Sequence, residues 1–145
     1  MRMKITWSRK LFAVAAASLV IFGVVPAGTA QAVQSCHWSF TTGKHGCSGS
    51  SSVRSSGDVI AAKIFSGVEY SGDVLTLWVP RPCSGNTYGL TLTGSVWEKS
   101  VKSGQAWSTC KLWLFQSNGT KYGPFTGNHP DFTFASAYIT KIGIS

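Results

Sequence analysis

Few side chains in this chain can move protons. The acids are Asp58, Glu69, Asp73, Glu98 and Asp131, and the histidines are His37, His45 and His129. A glycosidase needs two carboxylates roughly 5–9 Å apart. Only Glu69 and Asp73 are near neighbours, and they flank a Gly-containing turn, where solvated carboxylates are ordinary. A small ribonuclease needs an acid, a base and a phosphate-binding arginine. His129, Glu98 and Arg54 or Arg81 supply those types without a motif. No nucleophile elbow, metalloprotease helix or phosphate loop occurs. The residues therefore point away from an enzyme: no catalytic residue and no cofactor is assigned.

Cys36-His37 and His45-Gly46-Cys47 form a Cys/His cluster of the kind zinc uses. The adjacency of Cys36 and His37 does not fit a standard knuckle, and no metal site is assigned. The even count of four cysteines reads instead as two disulfides. Three pairings are possible. Cys36–Cys47 with Cys83–Cys110 is favoured, because each closes a local loop.

That reading needs an oxidising compartment, and the N-terminus supplies one. Arg2, Lys4, Arg9 and Lys10 precede an apolar run from Leu11 to Val25, Pro26 ends it, and Ala30-Gln31-Ala32 offers small residues for cleavage. This reads as a secretory signal over 1–32, whose 15-residue apolar run is too short to span a bilayer. Stable membrane insertion is not expected, and the localisation is extracellular. Removing 32 of the 145 residues leaves 113. Nine of the 13 basic residues remain against all five acids, a net charge of +4. The bases are scattered, so nucleic acid is not an expected partner. A weak pull toward anionic surfaces remains.

Two features suit binding. Tryptophan rings stack on sugars when exposed. Trp78 and Trp113 fall opposite leucine positions in their segments, and with Trp97 they make the candidate aromatic surface. The other feature is Val79–Cys83, in which Pro80 and Pro82 stiffen Arg81 on both sides and a bonded Cys83 would brace the end. Such a loop suits a protease inhibitor.

The elements that carry these residues are short. Residues 33–57 are Ser/Gly/Thr-rich and read as an irregular, disulfide-pinned arm. From 58 to 145 the pattern is β-type, with no sustained 3.6-residue period. Strands are expected over Val59–Phe65, Asp73–Val79, Tyr88–Thr93, Cys110–Phe115, Lys121–Thr126, Asp131–Phe134 and Tyr138–Ile144. Asn118-Gly119 predicts a type I′ hairpin turn; with Thr120 it is also a formal glycosylation sequon, and the turn is the preferred reading. The fold class is all-β, an antiparallel sandwich of one monomeric domain.

Phe65-Ser-Gly-Val-Glu-Tyr70-Ser-Gly72 fits aromatic-x4-aromatic-x-Gly. It resembles the signature of the βγ-crystallin-like Greek key, in which two aromatics cover a folded hairpin and the glycine takes a conformation closed to other residues. Val74–Trp78, Tyr88–Leu92, the Trp97–Ser103 loop, Cys110–Phe115 and Tyr138–Ile144 extend the resemblance over Val59–Ser145. It leaves the 33–57 arm unexplained, and the spacing fails in the second key, where Tyr122 directly precedes Gly123. Calcium sites of the family cluster oxygen ligands. Here Glu98–Ser103 and Ser136–Lys141 place lysines (Lys102 and Lys141) at hydroxyl positions, so no calcium site is expected. Small secreted microbial members include killer-toxin-like antifungals and proteinase inhibitors. The resemblance thus implies a secreted defence protein that binds a cell-wall polysaccharide or other microbial surface, or else inhibits a protease.

Overall fold

Period-2 alternation of apolar residues drives most of the chain into short strands. The computed structural model describes residues 33–135 and 138–145; the expected signal over 1–32 lies outside the described residues. The strands are β1 (Ser35–Ser39), β2 (His45–Gly46), β3 (Val59–Phe65), β4 (Val74–Val79), β5 (Tyr88–Thr91), β6 (Ser103–Ala106), β7 (Leu112–Gln116), β8 (Lys121–Phe125), β9 (Asn128–His129) and β10 (Ile139–Ile144). Two 3-10 turns, Ser50–Ser52 and Val96–Lys99, interrupt them.

The strands make two sheets. One has six strands in the order β2-β1-β4-β3-β6-β9, the other four in the order β5-β10-β7-β8. The inner rows are Leu75, Leu77 and Val79 with Ala62 and Ile64 on the first sheet, and Leu112, Leu114, Ile142 and Ile144 on the second, all buried. Each fully buried aliphatic chain contributes about 1.5–3 kcal/mol. Phe132, 1% exposed, closes one end of this core. The sheets approach closely there: a Cβ at Gly104 would lie 3.2 Å from Leu112 of the other sheet and 2.9 Å from the Phe132 ring.

Several expectations are corrected. The 33–57 arm is pinned by its disulfide but is not irregular throughout. Ser35–Ser39 lies beside β4 with Cys36 opposite Leu75 and Trp38 opposite Leu77. Cys36, Trp38 and Phe40 alternate, and this apolar face is what the sheet recruits. The β1–β4 pairing is parallel, so the six-stranded sheet is mixed, not antiparallel. Asp131–Phe134 is not a strand. The Asp131 carboxylate accepts the Thr133 N–H at 2.7 Å, which turns the chain and drops Phe132 into the core; Asn128–His129 pairs with β6 instead. The β7–β8 turn is not type I′ either. Only Gly119 of the Asn-Gly pair has positive φ, 89°, and its N–H donates to Gln116 O while Gln116 N–H donates to Thr120 O. That is a type I turn closed by a glycine bulge, the usual three-residue hairpin.

The Phe65–Tyr70 segment folds back on itself. The two rings meet edge to face at 5.6 Å. Gly72 has φ 77°, and a Cβ there would collide with Ser66 Oγ. Ser103 ties the hairpin down, donating to Gly67 O at 2.6 Å and accepting from Tyr70 N–H at 3.0 Å.

Candidate functional site

Strand register decides which aromatics face outward. In the four-stranded sheet Lys141 stands opposite Thr91 and Phe115, and Phe115 opposite Lys121. Two residues along, Gly143 stands opposite Gly89 and Trp113. Both rows lie on the face away from Leu114 and Ile142, because strand side chains alternate. The Lys121 ammonium sits 3.7 Å from the Trp113 ring centre and 5.5 Å from that of Phe115, and the Lys141 ammonium 5.3 Å from Phe115. The Trp113 indole N–H donates to Ser145 Oγ at 2.9 Å, which fixes the ring.

The glycines leave room for this arrangement. A Cβ at Gly143 would touch the Phe115 ring at 3.0 Å, and one at Gly89 would meet Lys141 Cε at 2.7 Å. Between these groups runs an open trough of about 230 Å³ whose walls include Tyr88, Trp113, Phe115, Lys121 and Lys141. The trough offers two half-buried rings, each with a lysine ammonium over it.

Trp78 is on the other sheet. It faces outward from β4 under the Arg54 guanidinium, 4.8 Å from its ring centre, and its indole N–H donates to His37 Nδ1 at 3.3 Å. Trp97 turns inward and lines a separate open pocket of about 350 Å³ with Trp38, His45 and Leu90. The 3-10 turn over Val96–Lys99, with Ser95 Oγ accepting Trp97 N–H, puts Val96 outside at 80% exposure and Trp97 inside at 8%. The three tryptophans therefore do not form one surface. Phe115, Lys121 and Lys141 went unselected in the sequence. Phe115 alternates with Leu114 and Lys141 with Ile142, and that is the available signal; Lys121 begins its own strand and carries none.

The expected disulfides both form, Cys36–Cys47 and Cys83–Cys110. The histidines near the first take other roles: His37 holds Trp78, and His45 stacks on Trp38 at 5.7 Å. Pro80, Arg81 and Pro82 are exposed between buried Val79 and buried Cys83. Cys83 is held further by its N–H to Ser108 O and by Thr109 Oγ1 donating to its carbonyl at 2.8 Å. In the calcium-like segment Glu98 accepts the Gly94 N–H and Ser103 braces the hairpin, so both oxygens serve the backbone. Ser136 of the second segment lies outside the described residues.

Burial, and after it the Lys63 charge, hold the His37 imidazole below its ordinary value of 6.5. A lowered histidine makes the fold bind fewer protons than the unfolded chain. The associated stability is therefore present above pH 6.5 and lost as pH falls through the lower folded value. Protonating Nδ1 also removes the acceptor for Trp78. An NMR titration should show the Trp78 indole N–H shifting as His37 titrates below pH 6.5, and staying put in His37→Gln. A shift that survives in His37→Gln would refute the coupling.

Among the described residues no helix is long and apolar enough to cross a membrane, and no three His, Cys, Asp or Glu side chains group as a metal site. Comparison with protein-family models, with curated proteins and with solved structures finds no match to this chain.

Proposed function

We propose that this is a secreted, non-catalytic binding protein that acts as a monomer on polysaccharide at a microbial cell surface. Its working surface is the outer face of the four-stranded sheet. The observation that carries this reading is the trough in which Phe115 lies between the Lys121 and Lys141 ammonium groups and Lys121 also sits over Trp113, above a glycine bed. Ring faces stack on pyranoses, and the lysines favour a wall polymer that bears negative charge. A defence role is supported by the βγ-crystallin-like Greek-key reading. That reading rests on the folded Phe65–Tyr70 hairpin with its Gly72. Secretion is supported by the N-terminal signal pattern and by the two disulfides.

Pull-down on chitin, peptidoglycan and fungal walls tests it. Trp113→Ala is expected to weaken binding at least tenfold, the scale of an interface hot spot. Lys121→Gln with Lys141→Gln should weaken it less and flatten its dependence on salt. Wild type that binds none of these materials, or Trp113→Ala that binds like wild type, would defeat the proposal.

A second reading, protease inhibition, is favoured by one observation: Pro80–Pro82 is exposed while both of its ends are anchored. A protease panel decides it. Inhibition abolished by Arg81→Glu and indifferent to salt would put this loop in place of the trough.

A further inference from the structure

The outer face of the six-stranded sheet carries an uninterrupted cross-strand row. His37 is opposite Thr76, Thr76 opposite Lys63, Lys63 opposite Gln105, and Gln105 opposite Asn128. Five strands thus each place one polar side chain in line. Gln105 Nε2 donates to Asn128 Oδ1 at 3.2 Å, which leaves the Gln105 oxygen and the Asn128 amino group for other partners. Thr76 is buried between longer neighbours and forms the floor.

Two tryptophans flank this row on the same side of it. Trp78 stands opposite Ile60 of β3, and Trp107 N–H donates to Ala61 O of the same strand at 2.8 Å. They therefore sit on either side of β3, about two strand spacings apart, or roughly 10 Å. Trp107 is 45% exposed, with the Lys63 ammonium 5.7 Å from its ring centre. Neither Trp107 nor this row belongs to the Trp113 trough.

We propose that this row is a second polysaccharide site, on the opposite side of the sandwich from the trough, and that the protein bridges two polymer strands. The ligand is an extended oligosaccharide lying across the β-strands. Four steps of about 4.8 Å give the row a reach of roughly 19 Å. A pyranose in an extended β-linked chain advances by about one such step, so some four sugar units fit. Alternate units of that chain present the same ring face two strand spacings apart, which matches the exposed Trp107 ring and the Arg54 guanidinium that lies over Trp78. The amides and hydroxyls along the row address sugar hydroxyls. The bridging half of this proposal rests on the reading of the Trp113 trough; the row itself stands apart from it. Two sites on one rigid body bind a polymer matrix by avidity, and either one alone binds without cross-linking.

Calorimetry with cellohexaose and chitohexaose, beside agglutination of polysaccharide-coated beads, tests both parts. Wild type should bind two oligosaccharides and agglutinate beads. Trp107→Ala and, as a surface variant that spares the fold, Gln105→Ala with Asn128→Ala should each lower affinity at one site at least tenfold and abolish agglutination. The Trp113-dependent site should be intact in both. If Trp107→Ala and the double variant change neither stoichiometry nor agglutination, the second site is refuted, while loss on Trp113→Ala still upholds the trough. If Trp107→Ala loses a site and Trp113→Ala does not, the row stands and the trough reading and bridging fall. Wild type that binds neither hexasaccharide overturns the second site and the bridging, and the pull-down on walls then decides the trough by itself.

Discussion

Replacing Cys83 and Cys110 together by alanine is expected to lower stability by about 3.6 kcal/mol. The bridge joins residues 27 apart in sequence, and closing a loop of that size removes this much conformational entropy from the unfolded chain. Removing Cys36–Cys47, 11 residues apart, should cost about 2.8 kcal/mol on the same grounds. The longer bridge also has the more structural position. Cys83 follows β4 of one sheet and Cys110 precedes β7 of the other, both are buried, and Thr109 and Ser108 bond the same turn. Its loss should therefore lower the melting temperature by roughly 15 °C. It should also loosen Pro80–Pro82, which the bridge anchors. Urea unfolding of the two double variants checks the order. Equal losses, or a larger loss for Cys36–Cys47, would mean that native packing around the bridges and not loop length sets their worth.

The strands visible in the sequence are those with a run of apolar alternation, which survives the bulge between Ile60 and Ala62 in the first of them. Val59–Phe65 and Val74–Val79 put Ile64, Leu75 and Leu77 inward at every second residue, and nothing in their composition competes. β1 has the same alternation in Cys36 and Trp38, but it is set among serines and glycines. Its partner is also a parallel strand nearly forty residues on (Cys36 opposite Leu75), a pairing no local pattern reports. β6 reads Ser-Gly-Gln-Ala and has no β-branched or aromatic residue. It is a strand because Gly104 lets Phe132 and Leu112 close over it, and that is a tertiary cause.

The site was legible one strand at a time. Trp78 and Trp113 each oppose leucines, and both do face outward. That they belong to opposite faces depends on sheet membership, which the spacing of the residues does not carry. Trp97 shows the converse limit. It sits in a 3-10 turn, where alternation does not apply, and the Ser95 cap turns it inward. Of the lysines over the rings, Lys63 and Lys121 count in the sequence only as scattered charge, and Lys99 and Lys141 only as residues of the calcium-like segments. Lys63, Lys99, Lys121 and Lys141 each lie near an aromatic ring, so placement, not net charge, makes them interesting.

Asp58→Ala is expected to lower stability by about 3 kcal/mol, because one buried carboxylate organises two loops at once. It accepts Ser39 Oγ–H at 2.9 Å, Thr41 Oγ1–H at 2.7 Å and Ser55 N–H at 2.9 Å. Bonds to a charged acceptor are worth about 1.5–3 kcal/mol each, and water replaces some of them in the variant. Ser39, fully buried, in turn accepts the N–H groups of Thr41 and Thr42, so the β1–β2 connection hangs on the same group. Burial pushes the Asp58 carboxyl up, yet the hydrogen bonds from Thr41, Ser55 and Ser39, with the Arg54 charge, together hold it below 3.8. A lowered carboxyl stabilises the fold above its unfolded value, and that contribution is lost as pH falls through the folded value. Wild type should thus lose stability in acid below about pH 4. Asp58→Asn should start lower at pH 7 and fall less steeply. The effect should also reach the six-stranded face, because the loop that Asp58 closes carries Arg54 over Trp78. Oligosaccharide binding in Asp58→Asn should therefore weaken at the Trp107-dependent site and hold at the Trp113-dependent one. Urea midpoints at pH 7 and pH 3, with calorimetry on the same samples, measure both. A variant within 0.5 kcal/mol of wild type at pH 7, or one with parallel acid behaviour, would show that Asp58 does not hold these loops.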